Sequence, residues 1–209
     1  MNRTTVIIPL KSREMKSRLA GALSAGQRRE FSKLMLADVL RVLRRAGLKS
    51  ALAVSSDKEM LAEAARLGAR VVMEPKDSGV NSAVLLAARR SGTSGDLLVL
   101  PSDLALLRGP DLARALSLRA AGVDIVIAPS RAFNGTNALL FSASLPIPLS
   151  YDSDSFWNHL RAASRRELTV GVCTAGGLMF DVDTPADLLA LSRSRLPRAS
   201  VRFARRALR

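Results

Sequence analysis

The sequence predicts an α/β fold with a mixed, mainly parallel sheet and helices on both faces, and three observations carry that expectation. Short β-branched apolar runs alternate with segments of helical periodicity along the 209 residues. In this βαβ order the right-handed crossover rule brings the loops after the strands to one edge of the sheet. Hydrophobic residues make up 48% of the chain and aromatics only 4%, so the core must be aliphatic. One domain is expected over 1–191, followed by a basic C-terminal segment, 192–209.

The first strand is read from TTVIIPL, β-branched and apolar. After the loop KSREMKSRLAG a long amphipathic helix begins. Ser24 and Gln27 have the spacing of a capping box, Phe31, Met35, Val39, Val42 and Ala46 recur at helical spacing, and Gly47 stops the helix. SALAVSS is the second strand, DKEMLAEAARLG a short helix stopped by Gly68, and ARVVME the third strand. NSAVLLAARRSG, DLLVLP, GPDLARALSLRAAG and VDIVIAPS continue as helix, strand, helix and strand. After Ser130 the rhythm changes: TNALLFS reads as strand, PIPLSYDSD as loop, SFWNHLRAASRR as helix and LTVGVC as a return to the sheet. A last helix enters at Pro185, capped by Asp183 or Thr184.

Composition narrows the function classes. A single cysteine, Cys173, excludes an intrachain disulfide, and a single histidine, His159, excludes a His-rich metal site. A reduced, cytoplasmic setting is the simplest expectation, because the first apolar run is too short for a membrane span and lacks a signal-peptide pattern. The formal net charge of +14 favours anionic partners. Much of that excess lies in SRSRLPRASVRFARRALR, with seven arginines and no acid, read as a solvated terminal segment. No zinc finger, RNA-binding aromatic signature or Gly-x-x-Gly loop accompanies it, so nucleic acid is not an expected partner.

The loop after the first strand has neither a Gly-x-Gly-x-x-Gly fingerprint nor a P-loop. It offers cations instead: Lys11, Lys16 and Arg18, which can hold a triphosphate by charge or simply be solvated. In DSGVNSAV, Gly79 permits close backbone approach. Asn81, beside Ser82, can read a base edge or ribose hydroxyl, or merely cap a helix. Asp103, in VLPSDLALL, interrupts an apolar run at the carboxyl end of a strand, where open α/β sheets bind ligands. A carboxylate there suits Mg²⁺ shared with phosphates; otherwise it is a polar turn. Asp181 and Asp183 in FDVDTPADL offer a second carboxylate, with helix capping the competing role for Asp183. Gly135, Thr136 and Asn137 supply uncharged donors, and Ser155 opens a helix whose amides favour an anion, with His159 one turn on.

In order, IPLK with KSRL, then VSSD, GVNSAV, LPSDL, NGTNALLF, SFWNHL and DVDTPADL resemble the 2-phospho-L-lactate guanylyltransferases of coenzyme F-420 biosynthesis, whose close relatives use phosphoenolpyruvate. The resemblance runs from about Thr5 to Leu191. It implies a single-domain, three-layer nucleotidyltransferase fold of the glycosyltransferase-A-like, nucleotide-diphospho-sugar transferase kind, and a partner set of GTP, Mg²⁺, a phosphorylated three-carbon acid and a second copy in a homodimer. Carried over by position, Asp103 and Asp183 hold metal, Lys11, Lys16, Asn81 and Ser82 meet the nucleotide, and Lys11, Lys16, Arg18 and Asp103 support catalysis. Thr136, Asp152 and Ser155 fall at acceptor-binding positions. Two departures stand out: Asp152 replaces a common glycine, which bears on acceptor identity, and no proline follows SDL.

The residue census suits that chemistry. An acceptor phosphate is already largely ionised near neutral pH, so no His or Cys nucleophile is required. Two other readings compete: a nucleotidyltransferase using CTP or another acceptor, such as molybdopterin or a sugar phosphate, and a basic nucleic-acid-binding domain.

Overall fold

The first strand, β1 (Thr5–Pro9), alternates its buried side chains between two cores: Val6 and Ile8 face one way and Ile7 the other. A strand apolar on both faces requires helices over both. The computed structural model describes residues 4–10, 16–145 and 147–209 and puts β1 near the middle of the sheet. The other strands are β2 (Ser50–Ser55), β3 (Arg70–Met73), β4 (Asp96–Val99), β5 (Ile125–Pro129), β6 (Thr136–Ser142) and β7 (Val170–Val172). Among the described residues they form one seven-stranded sheet in the order β3-β2-β1-β4-β6-β5-β7. Only β6 runs against its neighbours, pairing antiparallel with both β4 and β5.

α1 (Ala25–Arg45), α2 (Lys58–Arg66), α4 (Gly109–Ala120) and the short α6 (Gly176–Met179) cover the Val6/Ile8 face. α3 (Gly79–Ser91) and α5 (Ser155–Ser164) cover the Ile7 face. The expected capping box at α1 forms: Ser24 Oγ accepts the Gln27 amide and Gln27 Oε1 accepts the Ser24 amide, at 3.3 and 2.9 Å. Gly47 and Gly68 both adopt positive φ just past a helix end, where a side chain would be strained.

The described residues form a single α/β domain. The carboxyl ends of β1 and β4 lie side by side, with strand order reversing direction at β1: β2 and β3 extend one way, β4 and the rest the other. That switch point is where such sheets open a crevice.

The segment beyond 191 is basic, but not merely solvated as its charge suggests. α7 (Pro185–Ser192) leads to α8 (Ala199–Ala207), which buries Val201, Phe203 and Ala204. Phe203 stacks on Phe31 of α1 with ring centroids 5.2 Å apart. Apolar residues at i and i+3 or i+4 (Val201 and Ala204, Phe203 and Ala207) make the inward stripe, while the arginines take the other side. Among the described residues, no helix is long and apolar enough to cross a membrane.

Candidate active site

Three side chains remote in sequence meet at the switch-point edge. Lys16 Nζ donates to Asp103 Oδ2 at 2.5 Å and to Asp183 Oδ1 at 2.6 Å. Each arrives by a distinct local device. Lys16 adopts left-handed backbone (φ 56°, ψ 43°) and opens a 3-10 turn, Ser17–Leu19, pinned by fully buried Leu19. Asp103 follows β4, and its main-chain oxygen accepts amides from Ala105 at 2.9 Å and Val182 at 3.3 Å. Asp183 precedes α7. The capping residue there is Thr184, whose hydroxyl accepts the Asp187 amide, so the Asp183 side chain is left for the site.

Asp187 is the hidden organiser of this corner. One of its oxygens accepts the amides of Asp183 and Thr184 and the Thr184 hydroxyl, at 3.0, 2.8 and 2.8 Å. The other pairs with Arg131, whose guanidinium also lies 4.4 Å from the Phe180 ring centroid. Burial works to raise the Asp187 pKa, but the hydrogen bonds from Thr184 and Asp183 and the Arg131 contact hold it below the usual carboxylate value.

The electrostatics follow from crowding. Burial works against the Lys16 ammonium, but the charges and hydrogen bonds of Asp103 and Asp183 outweigh it and hold its pKa above the lysine norm. Asp181 accepts from Asn137 Nδ2 at 3.1 Å, yet burial and the charges of Asp103 and Asp183 push its pKa up. Asp103 Oδ1 is buried and has no hydrogen-bond partner among the described residues. A buried carboxylate oxygen left so is costly, and marks a place for a donor or cation.

The other expected residues are distributed as follows. Lys11 lies outside the described residues. Arg18 is exposed, and its guanidinium reaches Asp183 only at 3.9 Å. Asn81 lies in the first turn of α3, where its side chain does not act as the cap. Its Oδ1 accepts the Tyr151 amide at 2.8 Å and its Nδ2 donates to Asp152 at 3.3 Å, so it ties α3 to the loop before α5. Ser82 is exposed beside it.

Thr136 and Ser155 are brought together and buried: Ser155 Oγ accepts the Thr136 amide at 2.8 Å. His159 completes that cluster. Its Nε2 accepts the Ser150 amide at 3.1 Å, so the neutral ring carries its proton on Nδ1, 2.9 Å from Thr136 Oγ1. Burial pushes the His159 pKa down to about 4, so the ring is neutral near pH 7. The exposed carboxylate of Asp152 sits at the rim of this loop, hydrogen-bonded to Asn81.

Sequence reasoning did not assign roles to Asp187 or Arg131, and it read Asn137 as a donor for the acceptor, whereas its amide is given to Asp181. Asp181 and Asp183 carried a usable signal, since residues two apart on extended chain share a face. Arg131 in a hairpin carried none.

Comparisons with known proteins bear on the family and the fold. Residues 4–194 match the family described as guanylyl transferase CofC like. The chain is 39% identical over 191 residues to a phosphoenolpyruvate guanylyltransferase of Rubrobacter xylanophilus, covering 90% of this chain and 93% of that one. It is 34% identical over 184 residues to a 3-phospho-D-glycerate guanylyltransferase of Phenylobacterium zucineum, covering 85% and 84%. A 2-phospho-L-lactate guanylyltransferase of Methanothermobacter thermautotrophicus is 32% identical over 188 residues, covering 89% and 82%. Among solved structures, a protein from Desulfovibrio desulfuricans provisionally described as a nucleotide-diphospho-sugar transferase superposes with a TM-score of 0.77 at 18% identity, covering 99% and 95%. That last likeness bears on fold alone; with the family match and the three relatives, the chain belongs to the CofC-like guanylyl transferase family.

Proposed function

We propose that this protein transfers GMP from GTP to the phosphate of a phosphorylated three-carbon acid, 2-phospho-L-lactate or phosphoenolpyruvate, releasing pyrophosphate. The observation that carries the reading is the convergence of Asp103 and Asp183 on one cationic centre at the switch-point edge. The named relatives act on three acids that share a phosphate and a carboxylate, 3-phospho-D-glycerate being the third. An ionised acceptor oxygen attacks the α-phosphorus of GTP, and the bond from that phosphorus to the bridging oxygen of the β-phosphate breaks. No proton need move. The protein's task is to hold two anions together in line and to offset their charge.

The donor set fits Mg²⁺. Two carboxylates face a common centre, and Asp103 Oδ1 is buried without a partner. A pair of carboxylates suits a metal that shares one or two of them with substrate phosphates. Asp103 and Asp183 would hold it, and when bound it supplies charge neutralisation at the phosphates. Lys16 then contributes its ammonium to the triphosphate, with Arg18 at the outer edge. The helix start at Ser155, with Thr136 held beneath it, supports an acceptor-anion site, since the helix dipole favours negative charge there.

The same reading assigns the chain to coenzyme F-420 biosynthesis, as a cytoplasmic homodimer without nucleic acid. Two of the C-terminal arginines support the last point by donating to main-chain oxygens: Arg198 to Ala105 and Arg205 to Ser192. The decisive experiment is incubation with GTP, Mg²⁺ and each of the three acids separately, with the product read by mass spectrometry. A guanylylated acid and pyrophosphate are expected; no product with any acid overturns the assignment.

A further inference from the structure

The turn that carries Asp103 is buried, and buried turns must satisfy their own carbonyls. Leu104, Ala105 and Leu107 are wholly inaccessible. Two main-chain oxygens there, those of Ala105 and Leu107, accept from a single guanidinium, Arg198, lying 93 and 91 positions away. A planar fork holds two donors in one rigid geometry that matches two neighbouring acceptors; an ammonium on a flexible stem does not fix them so. The Ala105 peptide is thus gripped from both ends: its amide donates to the Asp103 oxygen and its carbonyl accepts from Arg198. The Asp103 oxygen also takes the Val182 amide, so the strap bearing Asp181 and Asp183 rests on the same turn.

Arg198 is itself held. It is the residue before α8, and Ser200 at the start of that helix donates its amide and hydroxyl to Asp38 Oδ2 at 3.1 and 2.6 Å. Asp38 is a buried carboxylate of α1, whose other oxygen accepts from Arg41. The stacked Phe31 and Phe203 rings fasten α8 to α1 further along. The family match ends at residue 194, short of every group on this C-terminal side of the clamp.

We propose that Arg198 is a positioning residue for guanylyl transfer: by clamping the 103–107 turn it fixes where the Asp103 carboxylate stands, and it makes the segment beyond 194 part of the catalytic apparatus. The proposal rests on the function proposed above, so its test has an arm that needs no turnover. Hydrogen exchange is compared in the full chain for the wild type, Arg198→Lys and Arg198→Ala. Amides of 103–107 exchange ~10-fold faster or more in Arg198→Ala, while those of β1 and β2 are unchanged, because only a local opening has been eased. Arg198→Lys, keeping the stem and charge without the fork, falls between.

In the turnover arm kcat drops ~10-fold or more in Arg198→Ala with the KM for GTP within about twofold, as expected when an ångström-scale misplacement touches only the transition state. Free guanidinium restores part of that loss. Wild-type exchange and kcat in both variants overturn the proposal, and so does faster exchange spread evenly over the sheet, which marks a general staple. If Arg198→Ala does not fold, Arg198→Lys decides by the same local pattern. A wild type that turns over no acid defeats the functional reading, while the exchange arm still reports on the clamp.

Discussion

The carbonyl oxygen of Asp103 accepts the amide of Val182 at 3.3 Å, and this one bond brings together the two chain segments that carry the site. Asp103 lies in the turn after β4; Val182 sits between Asp181 and Asp183 on the approach to α7. With the segments so paired, the side chains of Asp103 and Asp183 meet at one point, and Lys16 fills it. The site is held both by main-chain pairing and by charge.

Asp103→Asn removes one carboxylate while keeping size and shape. If the carboxylate offsets charge at the reacting phosphates, kcat for pyrophosphate release falls about 10²–10³-fold, the scale seen when one electrostatic contact to a transition state is lost. Retention of near-normal turnover with GTP and the right acid would remove Asp103 from the proposed role.

Lys16→Met tests what the ammonium stands in for. It takes away the ammonium that joins Asp103 to Asp183, close enough to Asp181 for their charges to raise its pKa, so like charges repel and the apo protein melts lower. Added Mg²⁺ should then raise Tm more than it does for the wild type, by roughly 1 kcal/mol or more of extra stabilisation, because the metal meets a place no ammonium contests. Equal Mg²⁺ shifts in thermal melts of the two proteins would argue against a shared locus.

Much of this architecture was legible because its signals are local. The alternation of apolar runs and periodic helices predicts the sheet; Ser24 and Gln27 announce the start of α1; Asp103 interrupts an apolar run where a strand ends. What was not legible depends on pairs remote in sequence. Nothing near Asn81 in the chain says that it holds the Tyr151–Asp152 loop. Nothing near Asn137 says that its amide is given to Asp181 rather than to a ligand. The C-terminal arginines masked the apolar stripe of α8 because net charge averages over faces that helical geometry separates.

Asp187→Ala separates the support from the chemistry. It strips partners from the Asp183 and Thr184 amides and from Arg131 at a position only 8% exposed. A stability loss of about 2–3 kcal/mol in urea melts is expected, from amides left without acceptors. Because its folded pKa is depressed, the Asp187 contribution is present above the ordinary carboxylate pKa and is lost as pH falls through the lower folded value. Activity should fall as well, since Asp183 loses its anchor. A variant as stable and active as the wild type would show that Asp187 only decorates the cap.

Gly177→Ala probes the underside of the catalytic turn. A Cβ there would sit 2.1 Å from Asp111 Oδ2 and 2.8 Å from the Leu106 oxygen, whereas one at Gly176 meets nothing within 4 Å. Asp111 is buried and caps α4 through the Arg108 amide, so neither neighbour can yield freely. Gly177→Ala is expected to cost about 1–3 kcal/mol by overpacking. Gly176→Ala, its neighbour, should lie within about 0.5 kcal/mol of the wild type, as open sites generally do. Similar melting temperatures for the two variants would contradict the close packing of α6 on the turn.

His159 gives the stability of the protein a pH dependence of known sign. The ring is 1% exposed, and burial lowers its pKa to about 4 from 6.5. As pH falls below 6.5 the unfolded chain takes up a proton that the folded ring refuses, so the unfolded state gains. The contribution of neutral His159 is full above about 6.5 and is lost as pH falls toward 4, a change on the order of 3 kcal/mol. Carboxylates titrate in the lower part of that window, so the variant His159→Asn supplies the reference: it retains an amide donor and acceptor but cannot titrate. Urea melts from pH 7 to pH 4 should show the wild type losing about 2–3 kcal/mol more than His159→Asn. Protonation would also turn Nε2 from acceptor to donor against the Ser150 amide, loosening the loop that faces Ser155. Parallel pH profiles for the two proteins would mean that the buried ring is protonated at little cost, and that the Thr136–His159–Ser150 network does not set the acid limit of the fold.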